Sequence, residues 1–154
     1  MANKDGMKVR GHCSWVVKDK TGNVVETGKG ENLIMTAGLG EIVKLCGQGL
    51  SGTKFTALAL GTSAATNTNP AQTTLTAEIT DTGLARAAAT VSQETTTTLQ
   101  LLYEWTASGA KTIQEIGIFN NATSGGTMLN RLIVGPITVA DEFKITFTYQ
   151  VTFS

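Results

Sequence analysis

The chain has 154 residues, of which twelve are Lys or Arg and twelve are Asp or Glu, so its formal net charge is zero. This length suits a single domain with its own apolar core, and the lack of a basic excess argues against a nucleic-acid binder. Only 16% of the residues are charged whereas 26 are Thr, which favours strands over a helical bundle because β-branched side chains are stiff.

The first eleven residues form a polar segment that carries Lys4, Lys8 and Arg10. Such a segment is either a solvated tail or an arm that orders against a neighbouring subunit. It contains no apolar run of the secretory kind, and nowhere in the chain do 18 apolar residues follow one another. We therefore expect a protein that is made in a cytoplasm and does not span a membrane, with residues 12–154 as its single domain.

The pattern after this arm predicts a hairpin and then a helix. Residues 12–17 suit a strand, the turn formers of 19–23 reverse the chain, and 24–27 return as a second strand, followed by a connection over 28–32. A short helix is predicted near residues 37–46, with Thr36 as its N-cap and Gly47 at its end. Its apolar residues recur at i, i+3, i+4 and i+7 and are expected to pack on a sheet: Leu39, Ile42, Val43 and Cys46.

The rest of the chain predicts strands. Apolar runs and period-two alternation indicate them over 55–60, 85–93, 96–106, 112–119, 127–134 and 143–154. Residues 61–74 are predicted to form a long polar, exposed loop. Alternation is strictest in 143–154, where one face is apolar and the other is rich in Thr. Seven or eight strands and one helix predict an all-β fold, an antiparallel β-sandwich.

Residues that carry chemistry are few and scattered. The one histidine, His12, adjoins Cys13, but neighbours in a strand point to opposite faces and make a poor chelate. Five carboxylates show no paired spacing and are expected to be exposed on strands or turns: Glu78, Asp81, Glu94, Glu104 and Glu115. We therefore expect no catalytic site, no bound metal and no cofactor, and hence no enzyme.

The cysteines, Cys13 and Cys46, lie 33 residues apart without a CxxC spacing. We expect two small buried apolar side chains, while a disulfide within the chain or between subunits stays open if the protein meets oxidising surroundings. Trp15 and Trp105 fall on the apolar faces of their strands and are expected in the core.

A series of short motifs appears in a fixed order along the chain. The motifs are Asn32–Leu39 entering the helix, Leu58–Ser63 ending a strand, the spaced Leu75, Glu78 and Arg86, then Ile113–Phe119, Gly126–Arg131 and Thr146–Ser154. Over about residues 30–154 this order resembles a family of small bacteriophage virion proteins of the tail fibre, collar or baseplate-associated type. Ser63, where the family commonly has Gly, and the polar arm depart from the family pattern.

The resemblance implies a non-enzymatic structural subunit of the virion, made in the host bacterial cytoplasm. Its partners would be other virion proteins and copies of itself in a homo-oligomer such as a trimer. The arm and the polar loop are the expected contacts between subunits, through Lys4, Lys8, Arg10, Thr66, Asn67 and Asn69. One alternative is a capsid decoration protein on the head shell. Another is a receptor- or carbohydrate-binding module, which would need exposed aromatic side chains.

Overall fold

Two five-stranded antiparallel sheets pack face to face in the computed structural model, which describes residues 6–47, 49–65 and 69–154. The elements in chain order are β1 (Val9–Lys18), β2 (Val24–Glu31), β3 (Leu33–Ile34), α1 (Thr36–Cys46), β4 (Ala57–Gly61), β5 (Ala87–Ala88), β6 (Thr90–Thr95), β7 (Thr98–Thr106), β8 (Lys111–Phe119), β9 (Met128–Val139) and β10 (Lys144–Phe153). The expected all-β sandwich with one short helix is confirmed. The two-residue strand β3 is too short for the alternation to reveal it, and the strand predicted over 85–93 divides into β5 and β6, which belong to different sheets.

The first sheet has the strand order β2-β1-β10-β7-β6. Its apolar face packs against the second sheet, and the alternation of β10 shows this most clearly. Ile145, Phe147 and Tyr149 are fully buried between the sheets, whereas the residues between them, such as Thr146 and Thr148, lie on the outer face and are partly exposed. Trp105 on β7 is buried in the same core. The predicted division of these strands into an apolar and a polar face is therefore confirmed.

Both strands of the first hairpin are longer than predicted. β1 pairs with β10 from Val9↔Phe153 onward, so residues 9–11 of the predicted arm are strand, because their backbone groups find partners at the end of the chain. β2 continues to Glu31, where the prediction placed a connection over 28–32, because it stays paired with β1 as far as His12. The predicted turn is confirmed, with a positive φ of 92° at Gly22.

That turn is organised around one carboxylate, Asp19. It accepts hydrogen bonds from the hydroxyl of Thr21 at 2.6 Å and from the backbone N–H of Asn23 at 3.0 Å. The Thr21 hydroxyl first, and then the backbone donors, lower the pKa of Asp19 to about 2, because these bonds favour the charged form.

The second sheet has the order β3-β9-β8-β4-β5 and is buried on both faces along β8. One face of this sheet meets the core between the sheets. The other is partly covered by the described residues 62–65 and 69–86, the covering segment, although its Ile79 and Leu84 join the core between the sheets instead. Leu75 of this segment packs with Phe119 and Met128 in a second, smaller apolar cluster. The described residues of the predicted loop over 61–74 are mostly exposed, as expected, and the buried apolar side chains that help to cover the sheet begin at Leu75.

Candidate interaction surface

The described members of the polar set predicted as subunit contacts lie in two separate parts of the molecule. Lys8 and Arg10 are exposed where the chain enters β1, on the first sheet. Asn69 is exposed in the covering segment of the second sheet, where its side-chain oxygen accepts the N–H of Ala71 at 3.0 Å. Lys4, Thr66 and Asn67 lie outside the described residues. The described members are thus accessible but are carried by different sheets.

The helix α1 packs on the sheet with a different face from the predicted one. Its predicted apolar face, the outer stripe formed by Leu39, Ile42, Val43 and Cys46, packs on the core only through Ile42, which is partly buried. Its buried residues are Gly38 and Glu41 instead, whereas three residues of the stripe are exposed, Val43 by 64%. The predicted N-cap also shifts by one residue, because the helix begins at Thr36 and is preceded by an extended Met35.

Two local features explain why the other face turns inward. Gly38 lies so close to β9 that a Cβ atom there would be 2.5 Å from the Leu129 Cα, a distance that only glycine tolerates. Glu41 accepts the backbone N–H of Thr53 and pairs with Lys44 at 3.2 Å. The Thr53 bond first, and then Lys44, hold the pKa of Glu41 below its usual range. A close backbone contact and a satisfied carboxylate thus fix the helix, and its apolar stripe is left outside.

An open apolar groove, the end groove, adjoins the outer stripe at the end of the sandwich. Its volume is about 340 Å³. It lies between α1 and the ends of strands from both sheets, and Ile42 and Cys46 belong both to the stripe and to the groove wall. Further lining residues include Leu45, Lys54, Val91, Leu99 and Phe153. Stripe and groove therefore form one continuous surface, with Lys54 as the charged side chain in the described lining.

The two cysteines have opposite environments. Both are free thiols; Cys13 is buried between the sheets, where burial raises the pKa of its thiol well above the usual range. Cys46 is exposed at the end of the outer stripe. The expectation of two buried apolar side chains is therefore right for Cys13 and wrong for Cys46, because the helix turns its stripe away from the sheet.

Two ion pairs, one buried in the second sheet and one part-buried in the covering segment, make further hydrogen bonds that hold the segment against the sheet. Glu115 is fully buried and pairs with Arg131 at 2.7 Å, so its expected exposure is wrong. The Glu115 carboxylate also accepts the backbone N–H groups of Thr76 and Ala77, at 3.2 and 2.8 Å. Arg131 in turn donates to the carbonyl oxygen of Ala65 at 3.1 Å. The carboxylate is buried because it satisfies backbone groups of the segment that covers it.

The second pair joins Arg86 to Glu78 through two hydrogen bonds, at 2.8 and 2.7 Å. The Arg86 guanidinium also lies 3.7 Å from the ring centroid of Phe119 and donates to the carbonyl oxygens of Asn121 and Gly125 in the β8–β9 turn. It thereby ties the covering segment to the hairpin tip. Glu78, Arg86, Glu115 and Arg131 all belong to the sequence motifs, so these motif residues have a visible structural role.

Neither a metal-ligating cluster nor an exposed aromatic ring is found among the described residues. Among residues 6–47, 49–65 and 69–154, no three of His, Cys, Asp and Glu lie close enough together to hold a metal ion. His12 is exposed on β1. All nine aromatic side chains are described, and each is buried or half-buried. Within the same ranges, no helix has the length and apolar character needed to cross a bilayer.

No protein-family model, no curated protein and no solved structure matches this chain. The exposed apolar side chains and the adjoining groove make the outer stripe and the end groove the candidate functional surface of the described residues.

Proposed function

We propose that the chain is a bacteriophage virion structural protein, a non-enzymatic assembly subunit of the tail, collar or baseplate. The observation that carries the proposal is the continuous apolar surface formed by the outer stripe and the end groove. Exposed apolar patches of this kind, on a protein whose core is otherwise well packed, are typical of protein–protein interaction sites. An assembly subunit needs such a surface, whereas an isolated soluble domain gains nothing from exposing it.

The order of the sequence motifs supports the same proposal. The motif residues Glu78, Arg86, Glu115 and Arg131 hold the covering segment in place. They therefore serve a rigid framework, which a repeated building block requires. The polar, Thr-rich outer face of the first sheet adds a surface of hydroxyl groups that can pair with neighbours without strong charge repulsion.

The carbohydrate-binding alternative has less support. Glycan-binding sites usually place an aromatic ring where a sugar can stack on it, and none of the nine aromatic side chains is in the exposed class. A decoration protein on the head shell needs the same kind of contact surface as a tail subunit. The location within the particle therefore has to be measured.

The test is to locate the protein on purified phage particles with an antibody raised against the recombinant chain. Gold label at the tail, collar or baseplate supports the proposal, whereas label spread over the head shell supports the decoration alternative. Particles that carry no label after partial opening with mild denaturant would refute a virion role. A glycan array probed with the purified protein separates the third alternative, because only a carbohydrate-binding module gives specific hits there.

A further inference from the structure

Exposed apolar side chains concentrate at one end of the molecule. Nine large apolar side chains are exposed among the described residues, and five of them surround α1 and the end groove: Leu39, Val43, Leu45, Leu50 and Val91. Leu50 lies four residues after the end of α1 and against Gly47, which places it beside the same surface. We call these five residues, with the outer stripe and the end groove, the apolar end.

We propose that the apolar end is covered by a second copy of this chain. The exposed fractions of its five large side chains amount to roughly 400 Å² of apolar surface, the size of patch that is often functional on a monomer. A standard interface buries about 800 Å² on each partner, and somewhat more than half of that area is apolar. The apolar end therefore has the apolar area that one side of a stable contact between copies requires.

Shape and charge also suit a contact between copies. The outer stripe is a ridge on α1 and the end groove is a hollow beside it, so one surface carries both halves of a complementary contact. Lys54 is the charged side chain in the described groove lining, and the other lining residues are almost all apolar. The chain as a whole has no net charge, so a second copy meets no overall repulsion. Reciprocal ridge-into-groove packing gives a symmetric dimer, and head-to-tail packing gives a ring or an open filament.

This inference rests on the proposed function, because a second copy of the chain is one of the partners that an assembly subunit would bind. It differs from the expected contacts, which were polar residues of the arm and the loop. It can also fail separately, because purified protein tests self-association whereas labelled particles test the virion role.

The test compares two substitutions of equally exposed valines. Val43→Asp places a carboxylate in the outer stripe, whereas Val24→Asp places one on β2 in the first sheet; the two valines are 64% and 57% exposed. Sedimentation velocity and native mass spectrometry over low to high micromolar concentrations give the oligomeric state. We expect wild type and Val24→Asp to self-associate alike, and Val43→Asp to associate at least about tenfold more weakly, since a charge would enter a dry contact. Thermal unfolding of both variants checks that each is folded.

Cys46 supplies a second readout in the unaltered protein. Because Cys13 is buried, only Cys46 should react with a maleimide in the folded chain. Its labelling rate should fall as the wild-type concentration rises, and in Val43→Asp the same fall should need concentrations at least about tenfold higher. The proposal is overturned if wild type is monomeric at every concentration, or if Val43→Asp associates as well as wild type. A monomer that binds an amphipathic peptide through the groove would assign the apolar end to a different protein.

Discussion

The buried pair between Glu115 and Arg131 allows a quantitative test of how the covering segment is held. The Arg131 Nε atom lies 2.7 Å from the Glu115 Oε2 atom, and both side chains are almost wholly excluded from solvent. Glu115→Gln keeps the shape of the side chain and one oxygen acceptor, but removes the charge. Arg131 is then left buried without its counter-charge.

The expected cost follows from that burial. Removing one partner of a buried ion pair typically costs about 3–5 kcal/mol, because the remaining charge stays in a medium of low dielectric. A domain of this size has an unfolding free energy of about 5–15 kcal/mol, so Glu115→Gln should remove a large share of it. Arg131→Gln should cost a similar amount. The double variant should be more stable than the sum of the single losses indicates, by about 2 kcal/mol, because neither charge is then stranded.

Urea unfolding followed by tryptophan fluorescence measures these values, since Trp105 is buried in the core. The matched control is Glu104→Gln. Glu104 pairs with Lys144 at 3.1 Å, but both side chains are largely exposed, so the loss there should stay below about 1 kcal/mol. If Glu115→Gln is as mild as this control, or if the two single losses at 115 and 131 simply add, the pair does not fasten the segment as argued.

Three further changes test other parts of the fold. Gly38→Ala should lower the melting temperature, because the new Cβ would collide with the backbone of β9. Gly40→Ala should raise stability by up to about 1 kcal/mol, since nothing lies within 4 Å of that position. Calorimetry of both variants measures the two effects. Arg86→Lys should speed amide hydrogen exchange in the β8–β9 turn, because lysine cannot hold two carbonyl oxygens and a carboxylate at once, and unchanged exchange would contradict this. Burial raises the pKa of Tyr149 well above its usual value, so the unfolded chain loses this proton at a lower pH than the folded protein does. The stability of the fold should therefore decrease as the pH rises above about 10. An NMR titration in which Tyr149 ionises near that pH in the folded protein would refute this expectation.

The parts of the fold that the sequence predicted well depend on neighbours in the chain. β10 shows strict alternation because its two faces meet different surroundings, and the β8–β9 hairpin is marked by a polar tip between two apolar runs. The turn at Asp19 is likewise a local matter of side chain and backbone hydrogen bonds. In each case the residues that decide the structure lie within a few positions of one another.

The parts that were missed depend on residues far apart in the chain. Helical spacing reports that α1 has an apolar stripe, but it says nothing about which surface that stripe meets. The choice is made by the close approach of Gly38 to Leu129, 91 positions further along the chain. The candidate surface was missed for the same reason, because it exists only where the stripe of α1 meets strand ends from both sheets.

Glu115 shows that a usable signal was present nonetheless. It is followed directly by the apolar run Ile116–Phe119, and an exposed strand would carry more polar residues there. Once the hairpin register is known, Arg131 lies opposite Gly117, two residues from Glu115 on the neighbouring strand. A carboxylate and a guanidinium at such a separation, within two buried strands, indicate a buried pair.

The low content of charged residues becomes lower still when only the outer surface is considered. Of the few charged residues, Glu41, Arg86, Glu115 and Arg131 hold internal contacts, so the outer surface is poorer in charge than the composition suggests. A surface of this kind lets copies approach one another, but it provides little electrostatic orientation. The orientation of any specific contact must then come from shape and apolar area. Among the described residues, the apolar end is where exposed apolar side chains and a groove adjoin, and it is therefore the surface on which assembly should depend most.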